Sequence, residues 1–163
     1  MTSARVVLFA LGFTAFGVLS GCSSALTSPD DSCVSGTRWI GGNQESQEMN
    51  PGQACIACHT RGGEGPRFAF AGTVYGTGAT REVDNCFGTT SPALVRITGA
   101  DGTVVTATTN AAGNFSINQS VALPYSAEVE SNGMVRRMTA TQTSGDCNGC
   151  HTRGASQGRI LAP

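Results

Sequence analysis

The sequence contains no lysine: all ten of its basic residues are arginine, against eleven acidic ones in 163 residues. The absence reads as a coding bias rather than a functional signal. Charged residues are only 13% of the chain and the net charge is −1, which gives no electrostatic case for binding nucleic acid. Histidine is nearly as scarce, with two residues, and there is one tryptophan. Beyond the first twenty or so residues no apolar run approaches the roughly 20 residues that a membrane-spanning helix requires. Glycine is plentiful, with 22 residues, and high glycine with low charge points to strands and turns rather than long charged helices. Cysteine, with seven residues, is the other abundance, and its placement carries most of the functional reading.

Residues 1–21 read as an export signal. One arginine, Arg5, precedes an apolar stretch from Val6 to Leu19, which is too short to span a bilayer. The stretch ends in Leu19-Ser20-Gly21-Cys22, which resembles the lipobox of bacterial lipoproteins. That resemblance implies acylation of Cys22, cleavage before it, and a mature chain held at a membrane of the cell envelope by two or three acyl chains. Residues 22–36, polar and containing proline and serine, then form a tether.

With Cys22 set aside as the anchor, four of the six remaining cysteines fall into Cys55-Ile56-Ala57-Cys58-His59 and Cys147-Asn148-Gly149-Cys150-His151. The two stretches belong to an internal repeat: CIACHTRGGEGPR (Cys55 to Arg67) aligns with CNGCHTRGASQGR (Cys147 to Arg159), so both histidines of the chain occupy equivalent places. Cys33 and Cys86 are left over. In an oxidising compartment an even remainder suggests a disulfide; closing a loop of about fifty residues, it would be worth about 4 kcal/mol in the chain-entropy model.

C-x-x-C-H is the attachment motif of c-type cytochromes. The resemblance covers two short stretches, and it implies a role for each matching residue. Cys55 and Cys58 would form thioethers to a haem with His59 as axial ligand, and Cys147, Cys150 and His151 would do the same for a second haem. Arg61 and Arg153, each two residues past its histidine, are candidates to pair with propionates, or are plain surface charges. No third histidine exists to complete two bis-histidine irons, so methionine is the next sixth ligand to consider. Met49 is the better candidate, because its surroundings are polar and offer no core to fill; Met138, just ahead of the second motif, is the weaker one, and Met134 reads as a core residue. Rival readings remain open: one zinc site from the two C-x-x-C pairs, a local disulfide in each pair, or a redox-active dithiol. Apolar side chains near the motifs are few: Trp39, Ile40, Ile56 and Phe68 at the first, Ile160 and Leu161 at the second.

Between the motifs the texture changes. Phe68 to Tyr75, Ala93 to Thr98, Thr103 to Thr109, Asn114 to Asn118 and Tyr125 to Glu130 are short and rich in β-branched or aromatic residues, with Gly, Asp and Asn at the joints. Met134 to Thr141 is a possible last strand. The order predicts a β-sandwich. Gly72-Thr73-Val74-Tyr75, Ala93 to Ile97, Asp101-Gly102 and Thr109 to Phe115 together resemble a carboxypeptidase-regulatory-like, or transthyretin-like, domain over roughly Phe68 to Met138. Such a domain implies a non-catalytic scaffold.

The expectation is therefore a mainly β protein with a single sandwich at 68–141, between a first C-x-x-C-H segment at 37–67 and a second at 142–163, both irregular. Its function would be one-electron transfer by two c-type haems at a membrane, with a redox partner protein, no nucleic acid and no substrate chemistry of its own. The alternative is a non-catalytic binding or structural lipoprotein whose motifs hold zinc or disulfides.

Overall fold

The structure, a computed structural model, describes residues 46–62, 65–77, 92–152 and 155–163. The expected signal and tether, Cys22, Cys33, Cys86 and Arg153 lie outside the described residues, and with them the expected lipid anchor and Cys33–Cys86 bridge.

Among the described residues, seven strands form two sheets. Strands β1 (Phe70–Tyr75), β4 (Asn114–Ile117) and β7 (Ile160–Leu161) make the first, in the order β4-β1-β7. Strands β2 (Leu94–Thr98), β3 (Val104–Thr108), β5 (Ser126–Ser131) and β6 (Met134–Arg137) make the second, in the order β3-β2-β5-β6. The protein is mainly β, and the two sheets pack as a sandwich. All five clear strand expectations, and the possible sixth, correspond to β1 to β6; β7 comes from the second C-x-x-C-H segment.

The alternation that marks the strands places the core. On β2, Val95 and Ile97 are buried while Leu94, Arg96 and Thr98 are half-exposed. Val95 and Ile97 meet Phe70 and Val74 of β1, Phe115 and Ile117 of β4, and Val129 of β5 between the sheets. Tyr125 sets its ring edge-on to Phe70, at 4.9 Å between centroids, and its hydroxyl donates to the Ser144 carbonyl at 2.7 Å, so the phenol buries its apolar body without losing its polar tip. The other face of the second sheet carries charges, where Glu128 pairs with Arg96 and Arg137. The Arg96 guanidinium, hydrogen-bonded to it, holds the Glu128 carboxyl below its usual range.

Strand β1 differs from the rest in being buried along all six residues. One edge pairs antiparallel with β4, Phe70 opposite Ile117 through Thr73 opposite Asn114. The other edge is closed in pieces by the second C-x-x-C-H segment. Ala71 donates to the Gly145 carbonyl at 3.0 Å, and Val74 and Tyr75 pair in parallel with Ile160 and Leu161. Between those contacts a side chain replaces the missing strand: the Thr73 amide donates to Oδ1 of Asn148 at 3.0 Å. A buried amide needs a partner, and this segment supplies one at each step. The described residues of this second segment, 142–152 and 155–163, are thus part of the sandwich as well as bearers of a motif. The methionines also sort themselves. Met138 packs against the core, whereas Met134, expected inside, is 54% exposed on edge strand β6.

Candidate functional site

The first motif opens a helix where an irregular segment was expected. Helix α1 (Cys55–Gly62) follows a tight double turn in which Asn50 and Gly52 take positive φ, 45° and 83°. The Gly52 amide donates to Thr73 Oγ1 at 2.8 Å, which fixes the turn to the middle of β1. On a helix, positions i, i+3 and i+4 share a face, so Cys55, Cys58 and His59 project together. The first turn of α1 contains no acidic residue of its own. Its cap comes from the other end of the chain: Asp146 Oδ2 accepts the Ala57 amide at 2.8 Å, and the amides of Ile56 and Cys55 also act on the carboxylate.

The second motif sits at the open edge of β1. Cys147–Gly149 form a 3-10 turn, and the Cys147 carbonyl accepts the amides of Cys150 and His151, which makes one helical turn of Cys147 to His151. Asn148, inside the motif, is fully buried. Besides accepting from Thr73, its amide donates to the Gln53 carbonyl at 2.8 Å and to Thr73 Oγ1 at 3.1 Å. Thr73 Oγ1 donates to Asn114 Oδ1 at 2.7 Å, and Asn114 in turn donates to the Met49 carbonyl at 2.9 Å. One buried polar network thus ties the approach to the first motif, the second motif and the sandwich together. Gly72 makes room for it, since a Cβ there would lie 2.9 Å from the Cys147 Cβ and 3.0 Å from the Phe115 ring.

The repeat seen in sequence is also a repeat in space. His59 Nδ1 lies 3.0 Å from the Pro66 carbonyl and His151 Nδ1 lies 3.0 Å from the Gly158 carbonyl, seven residues on in both cases. A carbonyl oxygen only accepts, so Nδ1 carries the proton and the neutral ring keeps its lone pair on Nε2. That is the orientation a metal-ligating histidine takes when a backbone carbonyl holds its second nitrogen. The thiols repeat as well: Cys55 Sγ donates to the Gln53 carbonyl at 3.3 Å and Cys147 Sγ to the Gly145 carbonyl at 3.5 Å. Phe68 places its ring 5.2 Å from that of His59.

The four motif thiols are not equivalent. Cys58 is exposed. Burial pushes the Cys55 thiol up to about 12, helped by the nearby Asp146 carboxylate. Cys147, packed against the core, is pushed up to about 12 by burial first and by Asp146 and Cys55 next. Cys55, Cys58 and Cys147 are free thiols, whereas Cys150 is disulfide-bonded, with its partner outside the described residues. This differs from the expectation that Cys150 is the second thioether position of its motif. Asp146 is buried, and its Oδ1 has no hydrogen-bond partner of normal geometry. Burial raises its carboxyl above the usual range even though three amides pull the other way.

Tested against haem attachment, the first motif fits in its exposed Cys58 thiol and in His59, whose Nε2 is the free nitrogen, while Cys55 is shielded at the head of the helix. The second fits in its imidazole alone, with Cys147 docked under β1 and Cys150 engaged. Among the described residues no three His, Cys, Asp or Glu side chains gather as a metal-binding group. Met49 is half-buried, pinned through its carbonyl by Asn114, and Arg61 is exposed. Arg159, at the end of the second repeat, stacks its guanidinium 4.2 Å from the Tyr75 ring centroid. Sequence reasoning missed Asp146 and Asn148, whose partners lie 89 and up to 95 residues away. Comparison with protein-family models, curated proteins and solved structures finds no match.

Proposed function

We propose that the protein is a lipid-anchored electron carrier of the cell envelope with two c-type haem sites, one at each C-x-x-C-H motif. The observation that supports it most is the matched pair of histidines, each with Nδ1 held by the carbonyl seven residues on and Nε2 left to bind iron. His59, Cys55 and Cys58 would hold one haem, and His151, Cys147 and Cys150 the other. Bound there, haem would supply a one-electron iron couple. The chain's own residues do the rest. The two carbonyls fix the imidazoles, the Asn148–Thr73–Asn114 network holds both segments on β1, and Asp146 joins the second segment to the helix of the first. The sandwich serves as a rigid, non-catalytic scaffold of carboxypeptidase-regulatory-like type, and Cys22 carries the lipid. Met49 is the preferred sixth ligand. A redox partner protein would supply and take up the electrons. Attachment at the second motif requires that the Cys150 disulfide be opened and Cys147 be lifted from beneath β1.

The half-buried Cys147, packed against the core, and the engaged Cys150 favour a second reading at that motif, a structural disulfide in a binding lipoprotein, with zinc the remaining alternative. Peptide mass spectrometry of protein from a host that attaches haem to c-type cytochromes separates the readings. Haem adducts are expected on the peptides containing Cys55–His59 and Cys147–His151. Adducts on neither would overturn the proposal, and a disulfide-linked Cys150 peptide beside an adduct on the first would reduce it to one haem.

A further inference from the structure

Asp146 has a role that neither motif explains. Its backbone is placed without help from its side chain: it bridges Ala71, the neighbouring Gly145 carbonyl accepts from Ala71, and its own carbonyl accepts the Gly149 amide. The side chain then leaves its own segment and ends at the head of α1, at the Ala57 amide. An uncharged cap would make the same contact at a lower desolvation cost, since asparagine and serine cap helices about as well as aspartate. Here the cap is a buried carboxylate with one oxygen unpartnered. Beside it lie Cys55, at the first residue of the helix, and Cys147, the next residue in its own chain; Cys58, one turn further on, is open.

We infer that Asp146 is a positioning residue for the first motif: it seats the head of α1 on the second segment, so that Cys55 is shielded, Cys58 is the thiol presented to reagents, and the two motifs move as one unit. The hydrogen bond does the seating. The charge acts on what the motif holds, disfavouring electron density at Cys55 and favouring the more positive state of any bound metal centre. The inference deepens the proposed function, and only its charge arm rests on that reading.

The test begins with the full chain made in a host that attaches no haem, pulsed with N-ethylmaleimide without reductant and mapped by mass spectrometry. Cys58 should be modified first and Cys55 about tenfold more slowly, a gap of the size that one helix cap sustains. Asp146→Ala should close most of that gap, and Asp146→Asn, which keeps an acceptor, should restore it. Equal rates for Cys55 and Cys58 in the parent chain, or undiminished shielding in Asp146→Ala, would overturn the inference. The parent chain gives a second reading that depends on no variant: the Ala57 amide, in a first helical turn, should exchange slowly with deuterium, and free exchange there would also overturn it. In haem-loaded protein, Asp146→Asn should raise one of two midpoint potentials more than the other, and superimposable titrations would refute the role of the charge. Absence of covalent haem from the parent protein is a separate result, which sinks the proposed function and leaves the alkylation and exchange arms to decide on Asp146.

Discussion

Asn148→Ala is the sharpest probe of how the second motif is built into the fold. The wild-type side chain is fully buried and makes three hydrogen bonds: it accepts from the Thr73 amide and donates to the Gln53 carbonyl and Thr73 Oγ1. Truncation leaves the Thr73 amide, on a buried strand, without a partner and the Gln53 carbonyl with only the weak Cys55 thiol donor. An orphaned buried group costs about 1–3 kcal/mol, and half-buried Gln53 can recover part of its loss through water, so the variant should lose about 2–4 kcal/mol. Asn148→Asp keeps an acceptor for Thr73 but removes the donor to Gln53 and buries a charge, so at neutral pH it should lose at least as much. Equilibrium urea unfolding followed by far-ultraviolet circular dichroism measures both. Asn118→Ala, at an exposed position, is the control and should stay within about 0.5 kcal/mol of the parent. If Asn148→Ala also stays within about 0.5 kcal/mol, the edge of β1 is not closed by that side chain.

Gly72→Ala should lower the melting temperature through overpacking against the Cys147 Cβ and the Phe115 ring, by an amount equivalent to about 1–3 kcal/mol; a Cys147→Gly background, which removes that Cβ, should relieve part of it, and additive effects would argue against the contact. Asp146 has its carboxyl raised by burial, so its contribution to stability is full below the ordinary aspartate range and is lost as pH rises through the raised value. The stability advantage of Asp146→Asn over the parent should therefore grow with pH across that window, and parallel denaturation curves at each pH would contradict it. Met138→Ala should destabilise the fold while Met134→Ala, on the exposed edge, should not, as thermal melts will show. Met49→Ala should alter the optical and electron paramagnetic resonance spectra of one haem with its attachment intact; unchanged spectra would remove Met49 as a ligand.

The sandwich was legible because its strands are short runs of β-branched and aromatic residues between glycine, asparagine and aspartate joints, so period and punctuation agree. Strand β7 was not legible, because two residues, Ile160 and Leu161, carry no periodicity and owe their conformation to parallel pairing with Val74 and Tyr75. Nor was α1, whose cap is contributed from the far end of the chain. Met134 was misplaced because apolar character alone does not say which side of an edge strand a residue occupies. The candidate site was half legible. The C-x-x-C-H pairs and their repeat stand in the sequence, and the alignment already sets Pro66 opposite Gly158, whose carbonyls hold the two histidines; what it does not show is that those backbone groups turn back onto the rings. The inequality of the thiols was hidden, since it depends on which cysteine docks beneath β1 and which stays outside.

The most direct test of two covalent c-type haems is the absorption spectrum of the protein purified from its own host, taken before and after denaturation and acid–acetone extraction. Covalent attachment at both motifs predicts a Soret band that stays with the denatured chain and a pyridine haemochrome content of about two per polypeptide, one for each C-x-x-C-H. A colourless protein, with stoichiometric zinc or with its motif cysteines in disulfides, would contradict it.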